Sequence, residues 1–193
     1  GTALTTGDNN TAVGHAALQN TTTAQGNVGI GKSALATNIL GSKSVAVGRG
    51  ALSVQNPATA TDMFNVAVGH EAGVVITTGI QNTLVGALAG DALTDADFNT
   101  AVGVTALGGD TLGSKSTAIG YSTLVNQNFT TATDAFNTAV GFEAGQSVTT
   151  GVKNVLVGSR SGDALTAGGQ NVAIGHQALS TDTLGSRLVA IGQ

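Results

Sequence analysis

Three histidines share one position in a phrase that the sequence repeats. His15, His70 and His176 each follow the final glycine of a phrase such as "NTAVG". Imidazole is a common metal ligand, but these residues belong to the first, fourth and tenth copies of the phrase. We therefore expect no metal site within one chain and interpret the column as a variable exposed or interface position, although threefold symmetry would bring three copies of one histidine together.

Acidic residues gather in "GDALTDADFN", with Asp91, Asp95 and Asp97, and in "GDALT", with Asp163. A calcium site needs several oxygen ligands that converge, and the glycine-rich nonapeptide of calcium-binding β-rolls is absent. We expect these carboxylates to cap turns. The sequence predicts no metal ion and no cofactor.

The chain also lacks the residue patterns of catalysis. No G-x-S-x-G elbow, phosphate-binding loop or Ser/His/Asp spacing occurs, and there is no cysteine to act as a nucleophile. The formal net charge of −4 provides no basic patch, so nucleic acid is not an expected partner. No apolar run approaches the length of a membrane span, so direct membrane insertion is not expected either. The sequence predicts a protein that is not an enzyme.

What the sequence does contain is a repeat. The phrase N-x-A-V-G and its close variants occur eleven times, and most copies follow the previous one at a 17-residue step, as Gly31 follows Gly14. Two steps are longer by four, as from Gly48 to Gly69. Three short steps and one long step make a second, 72-residue period, which relates "GSKSVAVG" to "GSKSTAIG". The phrase glycines are Gly14, Gly31, Gly48, Gly69, Gly86, Gly103, Gly120, Gly141, Gly158, Gly175 and Gly192.

A fixed short period indicates one small unit stacked on copies of itself. Each phrase alternates and is rich in Val, Ile and Thr, which is typical of a short strand, and no segment has the spacing of a stable helix. We predict an all-β fold: a parallel β-solenoid of about eleven 17-residue coils, two of them extended to 21, as one array over residues 1–193. We interpret the chain as a segment of a longer fibre or adhesin.

The columns of the repeat suggest an inside and an outside. The fourth phrase position is always Val or Ile, and we expect it to fill the coil interior as a β-branched ladder. The third position faces the other side of the strand, and a second apolar face needs a cover, for which another copy of the chain is the simplest source. The predicted core ladder is Val13, Ile30, Val47, Val68, Val85, Val102, Ile119, Val140, Val157, Ile174 and Ile191. The predicted subunit interface is Ala12, Ala46, Ala67, Leu84, Ala101, Ala118, Ala139, Leu156, Ala173 and Ala190.

Asparagine opens eight of the eleven phrases. Stacked Asn side chains can hydrogen-bond along a ladder and satisfy backbone groups at a corner, and the recurring glycine indicates a backbone angle or close contact that a side chain would forbid. The predicted corner ladder is Asn10, Asn27, Asn65, Asn82, Asn99, Asn137, Asn154 and Asn171.

The two longer coils carry the candidate receptor loops, residues 53–64 and 125–136. Insertions in a solenoid project outward and often make its contacts, so we select Asn56, Pro57, Phe129 and Thr130 as candidate contact residues. Phe64, Phe98 and Phe136 each precede an asparagine, and for these we favour a role as plugs at the coil corner.

"SVAVG", "NVAIG" and "STAIG" resemble the head repeats of trimeric autotransporter adhesins, the YadA-like family. "NTAVGHAALQNTTT" is similar to shaft repeats of bacteriophage tail fibres. The resemblance covers the whole chain and implies a left-handed β-roll, three chains packed side by side, an extracellular or virion location, and a role in attachment or as a spacer.

Two classes of function follow. In the first, the chain is a rigid shaft segment of a homotrimeric attachment fibre, on a phage tail or a bacterial surface. In the second, it is an adhesive head that binds a host-surface glycan or protein through the two loops. An ice-binding solenoid is a remote alternative, because "TTG" recurs only with the longer, 72-residue period and forms no uninterrupted Thr ladder.

Overall fold

The computed structural model describes residues 3–193, and this part of the chain is all-β, with fifteen strands and no helix. Eleven three-residue strands form one parallel sheet, with one strand from each turn of the chain. They are β1 (Thr11–Val13), β2 (Val28–Ile30), β4 (Val45–Val47), β6 (Val66–Val68), β7 (Thr83–Val85), β8 (Thr100–Val102), β10 (Thr117–Ile119), β12 (Thr138–Val140), β13 (Val155–Val157), β14 (Val172–Ile174) and β15 (Val189–Ile191).

The register of this sheet confirms the predicted parallel β-solenoid. Most neighbours pair residues 17 apart, as Thr11 pairs with Val28. The step is 21 where β4 meets β6 and where β10 meets β12. The extra residues of these two coils add short parallel pairs, in which β3 (Gly41–Ser42) pairs with β5 (Thr61–Asp62) and β9 (Gly113–Ser114) with β11 (Thr133–Asp134).

The assignment of interior and exterior faces from the sequence is wrong, because the structure reverses it. The third phrase position lies inside the coil: Ala46, Ala101 and Ala173 are fully buried. The predicted core ladder stands on the outside, where Ile119 and Ile174 are each 38% exposed. Of the predicted interface residues, Ala46, Ala67, Leu84, Ala101, Ala118, Ala139, Leu156 and Ala173 are buried in the single chain, Ala190 is half-buried and Ala12 is exposed in the first coil. The predicted core residues Val13, Ile30, Val47, Val68, Val85, Val102, Ile119, Val140, Val157, Ile174 and Ile191 are half-buried or exposed.

The narrow interior explains this reversal. A leucine four residues after the phrase glycine, such as Leu18, points back across the coil and is fully buried. At Gly29, a third-position residue, an added Cβ would already lie 3.1 Å from Cγ of Leu18. A methyl group is therefore about the largest side chain that this position accepts when the leucine is present, and the bulkier Val and Ile are left for the outside.

The core exists in two alternative packings. In one, the third position is Ala and a leucine such as Leu107 crosses the coil. In the other, Leu84 fills the third position, and the crossing residues that contact it are Gly73 and Gly90. Leu156 repeats the second arrangement one 72-residue period later, beside Gly145 and Gly162. The second packing also buries a branched residue three positions after each of these glycines: Ile76, Leu93, Val148 or Leu165.

The phrase glycines meet the expectation that no side chain fits. Gly141 has φ of 138°, and an added Cβ would lie 2.5 Å from the carbonyl oxygen of Gly158 in the next coil. Backbones of adjacent coils touch at this column, so only glycine allows the coils to stack at strand spacing.

Candidate binding surfaces

The asparagine ladder lies inside the coil, on the same side of the strand as the buried alanines. Asn82 donates a hydrogen bond from Nδ2 to the carbonyl of Ala96 at 2.8 Å, and its Oδ1 accepts from the backbone N–H of Asn99 at 3.0 Å. Each rung therefore bonds within its own coil and to the backbone of the next. The ladder supports the strand face from within and is not itself a surface. The residues that repeat this pattern are Asn10, Asn27, Asn65, Asn82, Asn99, Asn137, Asn154 and Asn171.

Two rungs are serines, and a glutamine from each long coil completes them. Gln55 is fully buried, donates to the Ser44 hydroxyl at 3.1 Å, and accepts from Nδ2 of Asn65 at 3.0 Å. Gln127 has the same relationship to Ser116 and Asn137. Each glutamine lies seven residues after its phrase glycine, where Asn38 and Ile76 lie in their own coils, and it supplies an interior polar group to the serine rung.

The outside of the eleven-stranded sheet, here called the outer face, is formed by the second and fourth phrase positions. All twenty-two side chains are Val, Ile or Thr, and none is charged. At about 4.8 Å per strand and 3.4 Å per residue, the face is roughly 48 Å long and 10 Å wide. The residues at the second position are Thr11, Val28, Val45, Val66, Thr83, Thr100, Thr117, Thr138, Val155, Val172 and Val189.

Two of the four candidate contact residues in the receptor loops are exposed, and two are buried. Asn56 and Thr130 are exposed, but Pro57 is buried and Phe129 is only 6% exposed. Phe129 packs inward against Gly113, where an added Cβ would lie 2.7 Å from its ring. These loops widen the coil, and the wider interior needs an apolar filling, so Pro57 and Phe129 are unavailable to a receptor.

The expectation that three phenylalanines plug the corner is also wrong. Phe64, Phe98 and Phe136 are 49%, 45% and 48% exposed. They stand on what we call the aromatic corner, the column of residues that immediately precede the buried Asn or Ser in six consecutive coils. Its members are Lys43, Phe64, Gln81, Phe98, Lys115 and Phe136, all exposed and all in the left-handed region, with φ between 51° and 62°.

Charged groups support this corner. The Nζ of Lys43 lies 2.6 Å from Asp62 and 5.3 Å from the centroid of the Phe64 ring. The Nζ of Lys115 lies 2.5 Å from Asp134 and 5.4 Å from the Phe136 ring. Because each lysine is paired with a carboxylate, the corner carries little net charge.

The opposite corner, after the phrase glycine, contains the histidine column. The Nη1 of Arg49 donates to Nε2 of His70 at 2.7 Å and lies 3.3 Å from Oε1 of Glu71. Further along, the rings of Tyr121 and Phe142 stack 5.3 Å apart. Within residues 3–193, no group of three or more His, Asp or Glu side chains is arranged to hold a metal ion.

Two of the acidic residues have carboxyl groups with a raised pKa. Burial raises the pKa of Asp91, and the nearby Glu71 adds to this effect, while a backbone hydrogen bond opposes it. Burial likewise raises the pKa of Asp97, whose Oδ1 accepts from the N–H of Ile80 at 2.7 Å. This last contact joins adjacent coils, 17 residues apart, and is not the turn cap that the sequence predicted for Asp97.

Threonine hydroxyls are largely used within the rod. Thr77 and Thr94 donate to the backbone carbonyls of Thr94 and Thr111 in the following coil. Ile39, Asn56 and Asn128 interrupt the column, so its longest run is three threonines.

No model of a known protein family, no curated protein and no solved structure matches this chain. Over residues 3–193, no helix is long and apolar enough to cross a membrane.

Proposed function

We propose that this chain is a rigid rod segment of an extracellular attachment fibre, on a phage tail or a bacterial surface, in which three copies pack side by side through their outer faces. The supporting observation is the outer face itself: a flat, uncharged strip of β-branched side chains that runs the length of the sheet. The outer face thus takes the role of subunit interface, which the sequence had assigned to the alanine column.

The size and chemistry of the strip favour a partner. Its plan area is roughly 500 Å², near the upper end of the largest apolar patches on monomers, which are about 300–600 Å². Parallel sheets are usually covered on both faces, and here only the inner face is covered by the chain's own residues. Val and Ile also have few rotamers to lose on burial, so ordering them costs little entropy.

A second copy of the chain carries the same uncharged outer face, which could cover this strip. A sheet face that stays in water usually carries polar residues, and no second or fourth position here carries a charged residue. The number three and the extracellular setting come from the resemblance to trimeric adhesin and tail-fibre repeats. The spacer role is supported by the 72-residue period, because the outer face carries only Val, Ile or Thr at every level of the rod.

Light scattering after size exclusion tests the proposal directly. One chain has a mass of 18.8 kDa, and a trimer has three times the mass of the chain. Val102 lies in β8, the central strand of the sheet, and Val102→Lys places a charge in the middle of the outer face. We expect the wild type to be a trimer and this variant to shift toward the monomer.

Ala167→Lys is the matched control, because Ala167 is exposed in a turn away from the strand face. It should remain trimeric. A folded wild-type monomer, or a Val102→Lys variant that trimerises as well as the control, would overturn the packing model.

A further inference from the structure

We propose that the aromatic corner is a binding site for a neutral, extended polysaccharide of β-linked pyranose rings, with Phe64, Phe98 and Phe136 as stacking platforms. The inference does not depend on three chains packing together. It concerns a corner of the coil that the outer-face model does not use.

The phenylalanines are not explained by the fold. Their column adopts the left-handed conformation, which is unfavourable for a bulky L-residue, and close to half of each residue's surface remains in water. Gln81 occupies the same column with φ of 57°, which shows that a polar residue satisfies the same backbone. An aromatic ring at this position is therefore not required by the backbone, and only about half of its surface is buried within its own chain.

Local contacts recover only part of this cost. A lysine ammonium over an exposed ring gives a weak favourable contact, as Lys43 provides for Phe64 and Lys115 for Phe136. These contacts also fix each ring beside a Lys–Asp pair. The corner thus combines apolar ring faces with donors and acceptors held next to them.

This combination fits a sugar. The C–H face of a pyranose ring stacks on an aromatic ring, and its hydroxyl groups accept from ammonium and donate to carboxylate groups at the rim. Phe64, Phe98 and Phe136 occur on alternate coils, so their spacing is roughly 9.6 Å. That spacing is close to the length of two β-1,4-linked rings, in which every second ring presents the same face to one side.

The charges favour a neutral chain. Lys43 and Lys115 are each paired with an aspartate, and Asp97 adds a further carboxyl group beside the corner. From Lys43 to Phe136, a polyanion such as nucleic acid or a polyuronate would find no run of unpaired basic groups, and the column continues with Lys153 and Arg187 only beyond the last platform.

Isothermal titration calorimetry with cellohexaose and chitohexaose tests the site on the full chain. We expect at least one hexasaccharide to bind, and its disaccharide, which spans one platform, to bind at least tenfold more weakly. The triple variant Phe64→Gln, Phe98→Gln, Phe136→Gln should lose detectable binding, because Gln81 shows that glutamine fits this backbone. Phe142→Gln removes an exposed ring from the opposite corner and should bind like the wild type.

Three results would overturn the proposal. The first is no binding of either hexasaccharide to the wild type, and the second is equal binding by the triple variant. The third is stronger, salt-sensitive binding of a hexameric polyuronate, which would indicate a polyanion site. Light scattering of the triple variant separates this site from the outer face. Loss of the trimer in this variant would place the phenylalanines between subunits and exclude the sugar site. Failure of Val102→Lys to dissociate the trimer would contradict the outer-face model and leave the sugar result standing.

Discussion

The side-chain amide of Gln55 lies 3.1 Å from the hydroxyl of Ser44, eleven residues earlier in the chain. The two residues together occupy the space that a single asparagine fills in ordinary coils. Serine is too short to reach the carbonyl across the coil, and the glutamine extends from the opposite wall to meet it. A missing rung is thereby restored by a residue from the longer coil.

We expect Gln55→Ala to lower the free energy of unfolding by about 1–3 kcal/mol, because it leaves the buried Ser44 hydroxyl without this partner. Asn65 keeps its bond to Gly79, which limits the loss. Chemical denaturation at fixed protein concentration measures the change. Gln81→Ala, at an exposed position, is the control, and an equal effect of the two variants would show that the rung adds no stability.

The two core packings predict a coupling between Leu84 and Gly90. Leu84→Ala should cost about 2–5 kcal/mol, because the buried leucine leaves a cavity that its glycine neighbours cannot fill. Gly90→Leu alone should also destabilise, since its Cβ would lie 2.7 Å from Cδ1 of Leu93 and 2.9 Å from Cδ2 of Leu84, and only the second contact is relieved by Leu84→Ala. The backbone itself can accept leucine, as Leu107 does at the equivalent place with φ of 55°.

In the double variant, the new leucine enters the space that the old one leaves. We therefore expect its cost to be smaller than the sum of the two single costs, measured by a double-mutant cycle in denaturant. Strict additivity would mean that the two positions do not share one volume.

The raised pKa of Asp97 gives a prediction with a definite sign. Since the folded pKa lies above the unfolded value, the folded state holds the proton more tightly, and stability from this group is lost as the pH rises through the folded pKa. Asp97→Asn keeps an oxygen for the Ile80 N–H and removes the charge. We expect it to raise the melting temperature at pH 7 and to change it much less at pH 3, and a variant less stable than the wild type at pH 7 would contradict this.

The sequence predicted the repeat, the strand, the two coil lengths and the glycine contacts because each leaves a periodic trace. It did not predict which face is inside. Val and Ile are more apolar than Ala, so hydrophobicity alone places them in the core. The missing information is a volume: Leu18 crosses the coil and leaves Gly29 and its equivalents room for little more than a methyl group. One signal was present in the sequence. Asparagine at the first position and alanine at the third share a face of the strand, so placing the asparagine ladder in the interior would also have placed the alanines there.

The exposed phenylalanines and the buried glutamines had weaker signals. Phe136 and Gln127 lie in the same insertion, and nothing in their hydrophobicity indicates that the apolar residue faces water and the polar one the core. Only the stacked register shows that Gln127 meets Ser116 and that Phe136 belongs to the column of Lys115.

The 72-residue period has a consequence for how such a rod changes over generations. Gln55 and Gln127 perform the same task for Ser44 and Ser116, so the boundary of each four-coil unit meets an equivalent neighbour. Recombination between two such units in the gene would add or remove one unit while the serine–glutamine rung and the phrase glycines meet residues of the same type. Length would then vary in increments of about 19 Å, which gives a lineage a way to adjust reach without redesigning any interface.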